Sequence, residues 1–328
     1  MSLFQTQAWQ SAWWDTWGAE HSLELRRPWG QGISGIYSTE YKIKGLIPIK
    51  SLEFVGSSYR KIRSTRTEYN RFSVLGESAD QAQKALEKTL FSLDWSEAVF
   101  NDLPLDSSDV AILKKIAIKN KWLVRTVNKD SAWAIRTEGG FENYLRGLGS
   151  NTRLRLFNRR KVLESLGEIV HENYADKCNE PTKFFEILNR FHLKRWGKPV
   201  YTRNALKFNS LFLRRIKLEG GEPQLLIMKC FDEPISALYN VKYNGCVYNL
   251  QSGFEQSFHN KLALGTLHLG YAIEQAFLNE GVQFFDFLAG SGKNENYKKR
   301  IATESMSLIS LMIVRSTLLK TLYSIKGI

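Results

Sequence analysis

PQLLIMKCFDEPISALYNVKYNGCVYNLQSGF, residues 223–254, decides the fold. Three runs rich in Val, Ile, Leu and Tyr are separated by two turn signals, Asp232-Glu233-Pro234 and Asn244-Gly245. β-Branched and aromatic side chains suit a pleated surface, and Asn-Gly accepts the positive φ angles of a tight hairpin, so the stretch predicts three antiparallel strands. Downstream the pattern predicts a loop, a helix from Thr266 to Glu280, the strand VQFFDFLAG at 282–290, a short helix around Asn296–Lys299 and a last strand SLISLMIVRS at 307–316. Upstream, NTRLRLFNRRKVLESLG (151–167), PTKFFEILNRFHLKRWG (181–197) and RNALKFNSLFLRRIKLEG (203–220) read as helices, the last stopped by Gly220-Gly221.

The first third alternates in the same way. GISGIYST (32–39), KGLIPIKSLEFVG (44–56), WSEAVFNDLP (95–104) and WLVRTVNK (122–129) predict strands, and helices are predicted from Asp80 to Leu93 and from Ser107 to Asn120. A boundary falls near Ser131–Gly149. With 328 residues, 43% hydrophobic and 24% charged, the chain has the composition of packed globular protein and the length of two domains, expected at 1–135 and 136–328. The fold class is mixed α/β.

Several classes drop out. The start MSLFQTQAWQSAWW lacks the basic and apolar regions of a signal peptide, so a cytoplasmic location is expected. SLISLMIVRSTLL is broken by Ser and Arg315 short of the ~20 residues of a membrane-spanning helix. Cys178, Cys230 and Cys246 have neither pairing number nor zinc spacing and are expected to be reduced and buried. His21, His171, His192, His259 and His268 show no metal-ligand spacing, and no Gly-x-Ser-x-Gly or Walker loop occurs, so no metal is expected. The net charge of +13 is concentrated: residues 151–217 carry 16 Lys/Arg against 6 Asp/Glu, which predicts a basic surface able to attract an anionic polymer or tRNA.

The run 239–302, with its pieces QSGF, the loop ending in LG, FDFLAG and YK, resembles the CelD-like (cellulose-biosynthesis type) GNAT acetyltransferases. NTRLRLFNRRKVLESLG and the H-x-x-R-W of FHLKRWG are similar to that family's basic segments. The resemblance implies tandem GNAT-like domains with a degenerate first one, an architecture shared with FemAB-type aminoacyltransferases. It also implies an N-acyltransferase using acetyl-CoA or another acyl-CoA, with an amine acceptor such as an amino sugar in polysaccharide or cell-envelope precursor synthesis.

Such a donor carries a pyrophosphate, which backbone N–H groups at a helix start can hold. HNKLALGTL (259–267) fits: Gly265 permits close approach, Thr266 is a cap candidate, His259 and Lys261 add charge, and Leu264 and Leu267 complete the expected cofactor contacts. Asp286 is the one ionisable residue of VQFFDFLAG, which marks it as a base or substrate-binding carboxylate, or as an anchor for the basic helix beyond. By the resemblance Tyr297 is the acid for the leaving thiolate; Lys298 could stabilise the oxyanion or bind acceptor phosphate, or belong with Lys299 and Arg300 to a solvated helix face. Tyr239 and Gln251 lie on strands expected to border the acyl cleft, and His192 and Arg195, three apart on one helix, could read an anionic acceptor or serve structure. Arg153, Arg155, Arg159, Arg160 and Lys161 spread around their helix and suit general attraction for polyanions. Two further readings stand beside this one: an aminoacyl-tRNA-dependent transferase, and a non-enzymatic polyanion binder in which Asp286 and Tyr297 would not matter.

Overall fold

The computed structural model describes residues 1–43, 45–74, 76–175, 181–290 and 293–325; Cys178 lies outside them. The chain divides into two units, residues 1–131 with 306–328, and residues 132–305.

In the first unit, Thr6 accepts the Trp9 amide and so caps helix α1 (Gln7–Trp13), which buries Trp9 and Trp13. Strands β1 (Glu24–Arg27), β2 (Ile36–Ile43) and β3 (Ile47–Phe54) form an antiparallel meander. The chain crosses through α2 (Ala79–Ser92), opened by a Ser78/Gln81 capping box, to β4 (Glu97–Pro104), parallel to β3. Helix α3 (Ser108–Lys119) leads into β5 (Leu123–Arg136), longer than the predicted 122–129 and passing the division at residue 131.

The second unit begins with α4 (Phe141–Gly147), α5 (Ser150–Arg153) and α6 (Arg160–Glu164). The single helix expected over 151–167 is interrupted by a π-helical turn, Leu154–Asn158. The cause is packing: a Cβ on Gly270 would sit 1.9 Å from the Leu156 carbonyl oxygen, so that turn lies directly on the bare glycine of a neighbouring helix. Next come β6 (Ile169–Asn173), α7 (Pro181–Trp196), α8 (Arg203–Leu218), β7 (Glu222–Cys230), β8 (Glu233–Tyr243), β9 (Cys246–Phe254), α9 (Leu264–Leu278), β10 (Phe284–Ala289) and α10 (Lys293–Ile301). The expected three-stranded meander is β7–β9. Its Asn244-Gly245 turn has φ of +48° and +72° as the sequence implies, whereas the first turn places Phe231, not Asp232 to Pro234, at positive φ, +53°.

The sheet of this unit runs β6-β7-β8-β9-β10 and ends on residues 132–136 of β5; β9 and β10 are parallel and the other neighbours antiparallel. On one face Leu238, Val247 and Phe285 pack under Leu269, Ile273 and Ala276 of α9. On the other Tyr239 meets Phe184 and Phe185 of α7.

The chain closes with β11 (Glu304–Val314) and α11 (Thr317–Ile325). β11 pairs antiparallel with β4. Its Ile309, Leu311 and Ile313 enter the core with Leu86 and Leu90 of α2 and Leu113 and Ile116 of α3; Met312 and Val314 face Leu319 and Tyr323 of α11. A strand buried on both faces reads as one apolar run, with roughly 1.5–3 kcal/mol for each fully buried large aliphatic side chain. Residues 306–325, expected with the C-terminal domain, thus complete the core of the first unit.

Candidate functional site

β9 and β10 pair over three positions, Phe284 with Cys246, Phe285 with Val247 and Asp286 with Tyr248. Beyond these β9 continues to Phe254 and β10 to Ala289 with no ladder between them. Burial follows the split: β9 is buried through Tyr248 and half-buried from Asn249 to Ser252, and β10 is buried at 285–287 and half-buried from Leu288 to Gly290. Two irregularities open it. β10 bulges against β5 between Asp286 and Ala289, with Leu288 at φ +63° and its amide donating to Asp286 Oδ1 at 2.7 Å. In β9, Asn249 faces Asn240 and Gln251 faces Tyr239, so Leu250 is the extra residue of a bulge, with Asn249 Nδ2 donating to Asn240 Oδ1 at 2.7 Å beside it.

The bulge decides which side chains meet. Tyr243, Val241 and Tyr239 of β8 share a face, and their partners are Cys246, Tyr248 and Gln251. Without the extra residue Gln251, three positions after Tyr248, would point away; with it Gln251 joins Tyr248 and Asp286, which pairs with Tyr248. Tyr239, Gln251 and Asp286 therefore lie on one face, together with Tyr248 and Cys246, which the sequence reading did not single out. The Cys246 thiol is hydrogen-bonded by the Tyr248 side chain and by Asp286 backbone; burial first, then the Asp286 charge, push its pKa up. The Tyr239 hydroxyl is fully buried without a hydrogen-bond partner, and burial raises its pKa. Gln251 Oε1 accepts the Ser252 amide at 3.0 Å.

At the end of β9 the chain enters the expected phosphate segment. The cap of α9 is Ala263, with no side-chain cap bond, and the helix starts at Leu264, so Thr266 lies within the first turn and is not the cap. Leu267 drops out of the expected contacts, because its amide donates to the Ala263 carbonyl at 2.9 Å and its side chain is fully buried. The amides of Leu264, Gly265 and Thr266 precede the first helical bond and can serve an anion. Gly265 is also a packing requirement, since a Cβ there would lie 2.5 Å from the Phe254 ring. His259 Nδ1 accepts the Lys261 amide at 3.2 Å, and Arg159 donates to the Lys261 carbonyl. Arg159, read from sequence as one of a diffuse basic set, thus holds this loop; only the fold brings residues 102 positions apart together.

Lys298 is buried and donates to the carbonyls of Leu288 and Ala289, at 3.0 and 2.9 Å, fastening the end of β10. Tyr297, beside it on α10, is 39% exposed, and partial burial raises its hydroxyl pKa. His192 Nε2 lies 2.9 Å from the Ser252 carbonyl, and burial lowers its pKa. Arg195 stacks over the Phe254 and Trp196 rings at 4.9 and 4.8 Å.

The first unit repeats the arrangement of a hairpin, a helix and a parallel strand with a non-glycine residue at positive φ, Asp102 at +51°. Its own loop occupies the end of β4. Arg66 bonds Asp102 through Nε and Nη2 and Asp130 through Nη1, each at 2.8 Å, while Asn70 donates through Nδ2 to the Asn101 carbonyl and through its amide to the Asp102 carbonyl. The open split is a property of the second unit.

Residues 150–299 match the family described as the acetyltransferase (GNAT) domain. Among solved structures, FemX is similar over 90% of this chain and 87% of its own, with 11% identity and a TM-score of 0.56. L-PGS from Bacillus licheniformis covers 96% and 94% at 10% identity and TM-score 0.51. The C-terminal domain (DUF2156) of a putative lysylphosphatidylglycerol synthetase from Agrobacterium fabrum covers 90% and 85% at 8% and 0.50. At such identities these likenesses speak for the fold. No curated protein matches the chain. The match to the acetyltransferase (GNAT) domain thus falls within the second unit, in a chain of mixed α/β fold.

Proposed function

We propose that the second unit transfers an acyl group, acetyl in the simplest case, from acyl-CoA to an amine. The observation that carries this reading is the β9–β10 split, which leaves backbone groups at the Leu250 bulge unclaimed by a neighbouring strand and leads to the first turn of α9. A thioester laid along β9 has its carbonyl polarised by those amides. The acceptor nitrogen attacks the carbonyl carbon, a C–N bond forms, and Asp286 takes the amine proton. As the tetrahedral intermediate collapses the C–S bond breaks, and Tyr297 protonates the departing thiolate. Lys298 acts by holding β10 in place, and Gln251 and Tyr239 lie on the acceptor side.

The resemblance to CelD-like enzymes favours an amino sugar of polysaccharide or envelope-precursor synthesis as acceptor. The test is thiol release from acetyl-CoA in the presence of glucosamine and a panel of other amines. Asp286→Asn should slow release about 100-fold, within the usual range for loss of a general base, with the Kd for acetyl-CoA little changed. No amine-dependent release from any acyl-CoA, or release at the wild-type rate in both Asp286→Asn and Tyr297→Phe, would sink the proposal. A second reading, transfer from aminoacyl-tRNA, is favoured by the excess of 16 Lys/Arg over 6 Asp/Glu in residues 151–217 and by the fold likeness to FemX. It predicts RNA binding that weakens steeply with salt.

A further inference from the structure

Beside the entrance to α9 the second unit has a groove of about 690 Å³, lined by the loop after β9, the last turns of α7 and the tip of the β7–β8 hairpin. Its volume is that of a small-molecule site. Phe191, Ile235 and Phe258 give it an apolar lining, and Phe231 stands at the hairpin tip with 61% of its surface exposed. Phe231 holds a left-handed backbone, φ +53°, that Asn or Gly would adopt with less strain. Two contacts keep it there. Its amide donates to the Glu168 carbonyl at 2.8 Å, and its ring lies against Gly167, where a Cβ would come within 2.5 Å of a ring carbon. A strained, exposed aromatic residue braced in this way offers a flat face to a ligand.

The polar groups of the groove are selective. Lys194 is engaged with Glu255 at 2.7 Å, whereas Arg190, also in the lining, makes no ion pair among the described residues. A guanidinium without a carboxylate is the side chain best suited to take a phosphate through two parallel bonds. Glu233 supplies acceptors for an exocyclic amine or a ribose hydroxyl. Glu255, Phe258 and His259 belong to the same loop that leads into α9. Aromatic faces, an uncommitted guanidinium and carboxylate acceptors, next to a candidate pyrophosphate site, describe a phosphorylated purine nucleoside.

We infer that this groove seats the 3′-phosphoadenosine end of coenzyme A, the base against Phe231 and Phe258 and the 3′-phosphate on Arg190. The inference rests on the reading of the α9 entrance as the donor's pyrophosphate site and adds to it a seat for the rest of the nucleotide. Sequence alone separates these residues into three distant segments.

The experiment is calorimetric titration of the full chain with acetyl-CoA, its 3′-dephospho analogue and adenosine 3′,5′-bisphosphate, for the wild type, Arg190→Ala and Phe231→Asn. Both side chains are exposed, and Asn tolerates the left-handed backbone, so the variants should fold as the wild type does. Acetyl-CoA affinity should fall about tenfold in each variant. The dephospho analogue should bind the wild type about tenfold more weakly than acetyl-CoA and be indifferent to Arg190→Ala, and the bisphosphate should compete with acetyl-CoA. Wild-type affinity in both variants, alongside loss of binding in Thr266→Glu at the start of α9, would overturn the groove assignment and leave the donor reading intact. Absence of acetyl-CoA binding in the wild type overturns both. An RNA hairpin ending in a 3′ adenosine, bound by the wild type in place of acetyl-CoA and lost in Phe231→Asn, would instead give the groove to an RNA-linked donor.

Discussion

Asp286, Glu53 and His268 are all buried, and each has a different consequence. Asp286 keeps its place through the Leu288 amide, a bond that exists because β10 bulges there, so its role depends on one irregular backbone position. Glu53, in the first unit, accepts from the Tyr59 amide, Tyr37 and Ser51. Burial still dominates and raises its pKa to about 7. Folded protein therefore holds this proton more tightly than unfolded chain, and stability falls as pH rises from about 4.5 to 7. The contribution is on the order of 3 kcal/mol, so Glu53→Gln should gain stability relative to wild type in urea unfolding at pH 8 and gain little at pH 5. His268 has the opposite sign. Burial lowers its pKa to about 3, and its Nδ1 lies 2.9 Å from Ser236 Oγ, so stability contributed by the neutral ring is lost as pH falls below about 6.5. Gly270→Ala meets the Leu156 carbonyl and should destabilise by about 3 kcal/mol, read as a lower urea midpoint at constant slope.

The three strands from 222 to 254, the α9 crossover and the parallel strand carrying Asp286 were all legible, because period-2 patterning and Asn-Gly turn chemistry are local. Two features of the site were not. The bulge at Leu250 leaves no mark in composition, yet it turns Gln251 toward Asp286; the phase of a strand after a bulge is a property of its partner's register. The helix expected over 151–167 is broken because Gly270, over 100 residues away, admits a carbonyl. Of the expected donor contacts, Gly265 and Thr266 fall in the first turn of α9, while Leu267 is taken up by the helix. A charge at Thr266 is the clean probe. Thr266→Glu puts a carboxylate in a first helical turn, where the dipole favours it, and repels a pyrophosphate; thermal stability should hold or rise while acetyl-CoA affinity drops at least tenfold.

The chain's last strand was legible as a strand but not as a member of the first unit, because pairing between segments 200 residues apart has no sequence signature. A fragment of residues 136–328 would carry β11 and α11 without β4, leaving Leu311, Met312, Ile313 and Val314 without their core, and should aggregate in size-exclusion chromatography. Since Glu53 lies in the first unit and His268 in the second, acidification from pH 7 to 5 should lower the second unit's stability and raise the first's, seen as opposite changes in native-state hydrogen exchange of their strands. Hydrogen exchange also gives the decisive experiment: the full chain is compared with and without acetyl-CoA. Slowed exchange at residues 249–254 and 262–267, with no change at 47–54 and 97–104, is the result expected if the β9–β10 split holds the donor. Protection at the first unit's strands, or at neither, would contradict the assignment of the donor site to this split.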